Sequence, residues 1–442
     1  MAKPTPLSGF PEWLPDGRIV EQRILAALQR AFELHGFASI ETRAVEPLDQ
    51  LLRKGEIDKE VYVLRRLQAE EGDTGDAGLG LHFDLTVPFA RYVLENSGRL
   101  QFPFRRYQIQ KVWRGERPQE GRFREFTQAD IDIVGQGDLA FHHEVELPLV
   151  MADALASLPI PPIRMQVNNR KLVEGFYRGL GIEDTAAVLR TVDKLDKIGP
   201  RKVHSGLVEQ GLTDAQADAC LALAEISTED ASFADRVKAL GSADPLLDEG
   251  LDELTRVVDA AREHAPGLLV ADLRIARGLD YYTGTVYETQ LVGHEALGSI
   301  CSGDRYDDLA TAGTERYPGV GLSVGVTRLV SRLLGQGLLT ASRSVPTAVL
   351  VALPDEESRT SCDRIASALR RRGIPVEVAP SATKYGKQIR YAERRGIPYV
   401  WFPQSDGGHE VRDIRSGEQV PADPTAWAPP AEDLHPTVNG AS

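Results

Sequence analysis

The chain has 442 residues, 42% of them hydrophobic, enough for about two to four domains with cores of their own. A formal net charge of −14 and a pI near 5.3 argue against indiscriminate nucleic-acid binding, while leaving room for a local basic groove. No run approaches the roughly 18 apolar residues that span a bilayer, Met1-Ala2-Lys3-Pro4 is no signal peptide, and Cys220, Cys301 and Cys362 are too scattered for a metal site; a soluble, cytosolic protein with reduced thiols is expected.

Ser8 to Pro15 reads as extended chain. Asp16 is placed to cap a helix that carries Ile19, Ile24, Leu25, Leu28 and Phe32 on one face and stops at His35-Gly36, where glycine supplies the left-handed turn. Ala38 to Thr42 follows as a strand. After Lys59 to Val63, the acidic, glycine-containing stretch Glu70 to Asp76 reads as a solvated loop, and Leu81 to Tyr92 contains Asp84-Leu85-Thr86.

The alternation Tyr107, Ile109, Lys111, Trp113 predicts a strand, and Phe123, Phe126, Ile131 and Ile133 predict a second one returning beside it. Gly115 to Gly121 joins them as a long hairpin loop. From Arg105 through Arg124 seven arginines and lysines face two glutamates, a balance of +5 in an acidic chain. Guanidinium groups on a rigid sheet can grip phosphate oxygens bidentately. A solvated charged hairpin is the plainer reading of such a run. The carboxylates Asp84, Asp130 and Asp132, expected on the same sheet, favour instead a site with a cationic and an anionic half, suited to a zwitterionic amino acid beside a nucleotide.

Asn168-Asn169-Arg170 closes this block. From about Lys171 to Ala265 apolar residues recur at helical spacing, with Thr213 and Gln216 forming a capping box before a face of Ala217, Cys220, Leu221 and Ala224; a helical insertion is expected. The sheet resumes at Leu268 to Asp272 and continues through Arg277-Gly278-Leu279-Asp280-Tyr281-Tyr282-Thr283-Gly284 to Glu288. Next come Ser302 to Asp307 and the glycine-rich strand Gly319 to Gly325, which runs into a helix bearing Arg328. Ser342 to Pro346 reads as a linker. Beyond it, short apolar strands at Ala348 to Leu353, Pro375 to Val378 and Tyr399 to Phe402 alternate with helices ending at Gly373 and Gly396, which predicts a small α/β domain with a mostly parallel sheet. Glu357 to Arg395 holds ten basic and four acidic residues, a surface able to hold a phosphate backbone.

Three of these stretches carry a resemblance. Arg114-Gly115-Glu116-Arg117-Pro118 with Gly121-Arg122-Phe123-Arg124-Glu125-Phe126 resembles the second signature motif of class II aminoacyl-tRNA synthetases. Arg277 to Gly284 resembles the histidine-specific motif of the histidyl-tRNA synthetase family, and Gly319 to Leu329 resembles the third class II motif. The helix and strand up to Thr42 correspond to the first motif, and Tyr385 to Ala392 with Arg412 to Gln419 to the family's anticodon-binding domain. The resemblance runs from about residue 8 to residue 420.

It implies an α+β catalytic domain built on an antiparallel sheet (residues 1–170 and 266–340), a helical insertion (171–265) over the tRNA acceptor stem, a C-terminal α/β anticodon-binding domain (345–425) and a tail (426–442). It also implies ATP with Mg2+, L-histidine and tRNA-His as partners, a homodimer built through the first motif, and no metal held by side chains. Carried over residue by residue, Arg114 and Arg277 flank the α-phosphate and the histidine carboxylate, and Arg328 holds the γ-phosphate. Glu116 and Phe126 receive the adenine, with Arg122 also at the nucleotide. Asp84, Leu85, Thr86 and Gln128 orient the histidine backbone; Asp132, Tyr281 and Tyr282 surround its side chain. Arg117 and Gln119 approach the 5′ end of the tRNA. Three positions depart from the family pattern: Arg43 where proline is usual, His82, read as structural, where arginine is common, and Asp304 where a glycine stands beside the nucleotide pocket. Two further readings stay open on these residues, a histidine-binding regulatory paralogue and a ligase with another acceptor.

Overall fold

The computed structural model describes residues 4–52, 60–68, 78–118, 121–275 and 282–440. The predicted acidic loop at Glu70 to Asp76 and the site residues Gln119, Arg277 and Tyr281 lie outside them. Two compact units form, residues 1–11 with 24–332 and residues 12–23 with 333–442.

The first helix, α1, runs Pro15–Leu34. Asp16 is therefore inside the first turn, where its charge suits the helix dipole, and is not the cap. Gly36, with φ +78°, ends the helix. The following strand is shorter than expected: β1 is Ala38–Ser39 only, parallel to the later β4. At Thr42 side-chain amides replace the ladder, Gln108 Nε2 donating to its Oγ1 and Gln110 Nε2 to its carbonyl, each at 2.9 Å.

β2 (Val45–Pro47), α2 (Leu48–Leu51) and β3 (Leu79–Leu81) form a small ribbon ahead of α3 (Thr86–Asn96). Then β4 (Phe104–Trp113) and β5 (Glu125–Val134) make the predicted hairpin, α4 is His142–Ala156 and β6 Ile163–Asn169. Asn169 accepts from the backbone N–H groups of Lys171 and Leu172 and so starts the insertion as the cap of α5 (Arg170–Gly179). α6 (Thr185–Val192), α7 (Leu195–Ile198), α8 (Pro200–Glu209), α9 (Asp214–Ala224), β7 (Ser227–Thr228), α10 (Phe233–Ala239) and α11 (Pro245–His264) complete it. The capping box forms between Thr213 and Gln216, although Leu223 is buried where Leu221 was expected. β8 (Leu269–Asp272), β9 (Tyr282–Leu291), β10 (Cys301–Tyr306), the short pair β11 (Thr311–Ala312) and β12 (Glu315–Arg316), β13 (Gly319–Gly325) and α12 (Val326–Gly335) follow.

These strands assemble a sheet in the order β1-β4-β5-β13-β10-β9-β6-β8-β7, in which only β1–β4 and β6–β8 run parallel. Register gives the sheet two unlike faces. Tyr107, Ile131, Ile133, Val320 and Leu322 are buried on one, with α4 and α11 packed nearby. The other carries polar residues row by row: Arg106–Asp132–Gly321–Asp304, then Gln108–Asp130–Ser323–Ser302, then Gln110–Gln128–Gly325. Side chains directly opposite on antiparallel strands point the same way, so these rows form one polar floor.

In the second unit β14 (Leu339–Ala341), β15 (Val349–Val351), α13 (Arg359–Arg371), β16 (Val376–Val378), α14 (Tyr385–Arg395), β17 (Tyr399–Pro403), β18 (His409–Asp413) and β19 (Gln419–Pro421) lead to α15 (Ala431–Leu434) and β20 (Val438–Gly440). The order is β16-β15-β17-β18-β19, parallel at β15 and antiparallel beyond β17, so the sheet is mixed and not mostly parallel. The loop from Gln404 to Gly408 is too short for a crossover, which takes a dozen or more residues, and must fold back as a hairpin. The tail is part of this unit: β20 pairs with β14, and Trp427 packs edge-on against Tyr399 and Trp401.

Candidate active site

The hairpin strands end where the polar floor meets the start of α12, and six of the predicted residues converge there. Arg114, Glu116, Arg122, Phe126, Gln128 and Arg328 line one pocket with Ser299, Cys301, Ser302, Ser323 and Gly325. Arg114 Nε donates to the Phe83 carbonyl at 3.0 Å, and its guanidinium lies 5.1 Å from the centroid of the Phe126 ring. Arg328 donates from Nε to the Gly121 carbonyl at 2.7 Å and from Nη1 to the Ser299 carbonyl at 2.9 Å. Arg122 pairs with Glu116 at 3.1 Å, and Arg124 Nε donates to the Glu116 carbonyl at the same distance. Backbone carbonyls thus orient Arg114, Arg124 and Arg328, while Arg122 is paired with the Glu116 carboxylate. Thr127 N–H donates to Thr327 Oγ1 at 2.8 Å, which ties β5 to α12 and holds the two walls together.

Along the floor the charge changes sign. Gln128 Nε2 donates to Ser323 Oγ at 2.7 Å. Asp132 is buried between Arg106 Nη2, 2.6 Å from Oδ2, and the Tyr306 hydroxyl, which donates to Oδ1 at 2.7 Å. Gly321 is required beside it, because a Cβ there would stand 2.2 Å from Asp132 Oδ1. Burial first, and then the Asp132 carboxylate, push the Tyr306 hydroxyl well above the ordinary tyrosine range, so it remains a donor. Arg106, wholly buried and 4.2 Å from the Phe89 ring centroid, is the floor's cation. Burial lifts Asp130 from 3.8 to about 7, against the pull of Arg106 and with help from Asp132 and Asp84.

Asp84 is not on the sheet. It lies in the turn before α3, where Oδ1 accepts from Val87 N–H at 3.1 Å; a residue spent on starting a helix cannot also continue a strand. Leu85 is buried and Thr86 opens α3. Arg117 is exposed in the hairpin loop, and Tyr282 begins β9.

The three departures have local explanations. His82 is buried, stacked on Trp113 at 5.5 Å, with Nε2 2.7 Å from the Lys111 carbonyl; burial lowers its proton affinity and keeps the ring neutral, so it acts as packing and as a strand tie. Arg43 pairs with buried Glu46 at 3.1 Å. Asp304 is buried on β10 opposite Gly321, where the pairing with β9 shifts register between Asp304 and Tyr306; no described non-glycine residue has positive φ, so the backbone strain that a replaced glycine can bring is absent there. It is Gly303 whose Cβ would collide, 1.9 Å from the Gly321 carbonyl oxygen.

Reading by motif missed Arg106, Tyr306, Ser302, Ser323 and Glu144. The first four follow from period-2 polarity on β4, β10 and β13, visible once the strands are aligned. Glu144, buried on α4, accepts from Thr285 Oγ1 and Arg305 Nη1, both at 2.7 Å, and supports the strand that carries the end of the Arg277 to Gly284 motif; nothing local in the sequence marks it.

Known proteins resemble this chain along most of its length. The family profile described as histidyl-tRNA synthetase matches residues 9–329, and one described as an anticodon binding domain matches residues 347–423. The chain is 63% identical over 452 aligned positions to the histidine–tRNA ligase of Cutibacterium acnes, covering 100% of both. It resembles the crystal structure of histidyl-tRNA synthetase from Nostoc sp. PCC 7120 with a TM-score of 0.85 and 35% identity over 96% of this chain and 97% of that one. A Bacillus halodurans structure titled as an ATP phosphoribosyltransferase regulatory subunit/histidyl-tRNA synthetase shares the fold at 20% identity, TM-score 0.72, over 88% of this chain and 97% of that one.

Proposed function

The chain belongs to the histidyl-tRNA synthetase family, and from that premise we propose that it activates L-histidine with ATP to histidyl-adenylate and transfers the histidyl group to the 3′ end of tRNA-His. The observation that carries this reading is the change of sign along one polar floor: guanidiniums at the Arg114 end, carboxylates at the Asp132 end. That polarity suits a triphosphate lying against the ammonium and carboxylate of an amino acid. A regulatory paralogue would have no need of the C-terminal anticodon-binding domain that this chain retains.

In the first step a histidine carboxylate oxygen attacks the α-phosphorus and pyrophosphate leaves; in the second the terminal ribose hydroxyl attacks the carbonyl and AMP leaves. Negative charge builds on phosphate oxygens and then on the carbonyl oxygen, so fixed cations are wanted where it develops. Arg114 takes the α-phosphate and the attacking carboxylate, with Arg277 on the other side, and Arg328 takes the γ-phosphate. Phe126 and Glu116 hold the adenine, with Arg122 at the rim. Gln128, Asp84, Leu85 and Thr86 orient the histidine backbone, bringing nucleophile and phosphorus into line. Asp132, Tyr281 and Tyr282 surround the imidazole, whose two nitrogens allow a site to reject side chains lacking them. Arg117 and Gln119 reach the tRNA 5′ end. Mg2+ would accompany the ATP in this reading and shield its phosphate charge, beside the guanidiniums of Arg114 and Arg328. The cytoplasm, where tRNA is charged, is the proposed compartment.

The test is pyrophosphate exchange into ATP with each amino acid in turn, followed by charging of tRNA-His. Exchange that needs histidine is expected, and Arg114→Ala should slow it by about two to three orders of magnitude with the fold intact. Exchange driven equally by other amino acids, or an undiminished variant, would sink the assignment.

A further inference from the structure

The polar pair Asn168-Asn169 is buried at the end of β6, and none of the roles above employs it. β6 lies between β9 and β8 in the large sheet. Those two strands flank the Arg277 to Gly284 motif in the chain: β8 leads into it and β9 carries its end. The backbone ladder between β6 and β8 closes at Val167 and Ala271. Beyond it the chain turns, with Ile275 N–H donating to the Asp272 carbonyl at 3.2 Å and Arg274 N–H to Asp272 Oδ1 at 3.1 Å. Side chains of β6 then take over from the ladder. Gln166 Nε2 donates to Asp272 Oδ2 at 2.8 Å. Asn168, two residues on and on the same face, donates from Nδ2 to the Ile275 carbonyl at 2.7 Å and to the Leu273 carbonyl at 3.3 Å. Its Oδ1 accepts from Asn169 N–H at 2.7 Å, so both ends of the amide are spent on backbone groups.

On its other side Asn168 pairs with Val286 in the β6–β9 ladder, and Asn169 pairs with Thr285, the residue directly after the motif. One residue thus holds the chain on both sides of the motif, by its side chain at Leu273 and Ile275 and by its backbone register at Val286. The exit is held a second time from α4, where Glu144 Oε2 accepts from Thr285 N–H at 3.2 Å and from its hydroxyl at 2.7 Å. Asn169 caps α5 and donates from Nδ2 to Glu253 Oε2 on α11 at 2.8 Å, which fastens the first and last helices of the insertion to the same junction. An apolar side chain at 168 would fill the space but leave the two carbonyls without this donor.

We propose that Asn168 is a positioning residue for the activation step. By fixing the Leu273 and Ile275 carbonyls beside β9 it sets where the chain enters the segment that carries Arg277 and Tyr281, and so where that guanidinium meets the α-phosphate. The inference rests on the histidine-activating reading and deepens it: Asn168 acts through the motif and not on a substrate. A displacement of about 1 Å in a group that must meet a transition state costs on the order of a hundredfold in rate, so an anchor at the root of the segment carries weight far beyond its own hydrogen bonds.

The experiment uses the full-length chain with Asn168→Ala, which removes the donor, and Asn168→Asp, which keeps the size and the acceptor for Asn169 N–H but turns an oxygen toward the two carbonyls. If one variant does not fold, the other decides. Histidine-dependent pyrophosphate exchange gives kcat and the KM for ATP, and the burst of histidyl-adenylate formed on mixing with ATP and histidine counts the working sites. The expected result is a rate per working site lowered by about tenfold to a hundredfold. The number of sites and the KM for ATP should stay as in the parent, since Arg114, Phe126 and Arg328 are carried by the β4–β5 hairpin and by α12. A parental rate per site overturns the proposal. So does a loss that shows only as fewer sites, the mark of a residue needed for folding alone, or one matched by a raised KM for ATP, the mark of a pocket disturbed as a whole. A wild-type chain without histidine-dependent exchange would instead overturn the reading on which the inference stands.

Discussion

At the scale of single residues, the floor of the site is organised for ligands at the expense of stability. Asp130 illustrates this through its proton. Burial raises its pKa from 3.8 to about 7, so the folded chain holds the proton more tightly than the unfolded chain does. Between those values the unfolded state binds fewer protons than the native state, and stability contributed at this site falls as pH rises from about 4 to about 7, staying low above that. Asparagine has no charge to bury. Asp130→Asn is therefore expected to melt a few degrees above the parent at about pH 8 and to lose that advantage near pH 4, as thermal unfolding across pH would show. A parent as stable as the variant at the higher pH would remove the strain from Asp130. The motif residues Arg114, Gln128 and Arg328 were legible because motif spacing names them. Arg106 and Tyr306 were not, because their meaning arises from contact with Asp132 across strands.

At the scale of elements, the C-terminal tail changes most between sequence and structure. Expected only as a tail, it is tied into its unit: Asp433 accepts from the Tyr399 hydroxyl at 2.8 Å and from Arg415 at 2.7 Å, and Arg343 donates to the carbonyls of Asp433 and Leu434. The tail also covers Trp401 through Trp427. Removal of residues 424–442 would leave the buried guanidinium of Arg343 and the Tyr399 hydroxyl without these acceptors and would uncover aromatic surface, losses of a few kcal/mol together. Such a truncation is expected to lower the melting temperature of the C-terminal unit and to speed its cleavage in limited proteolysis, with histidine-dependent exchange retained. A truncated chain that melts and resists protease like the parent would show the tail to be dispensable. The stretch Ser342 to Pro346 behaves likewise: it reads as a linker, but Arg343 is buried and hydrogen-bonded within its unit.

At the scale of the whole molecule, the first-motif helix α1 and the family pattern lead us to propose a homodimer, with Arg43 accommodated by its pairing to Glu46 and not opposed to association. Sedimentation equilibrium is expected to give about twice the chain mass of 48.4 kDa; a mass near one chain at micromolar concentration would contradict the dimer. The division of labour between sequence and tertiary structure follows from what each interaction depends on. Strands β4, β5 and β13, the glycine that ends α1, the capping box at Thr213 and the alternation of the C-terminal unit were readable from the chain alone, because periodicity, capping and turn chemistry act over a few residues. So were the motif arginines, as a pattern of spacing. The order of strands in the large sheet, the mixed sheet of the second unit, the place of Asp84 in a helix-initiating turn and the shared floor of Arg106, Asp130, Asp132 and Tyr306 were settled only by folding. Each of those depends on register between strands far apart in sequence, and hence on which buried charges are brought together.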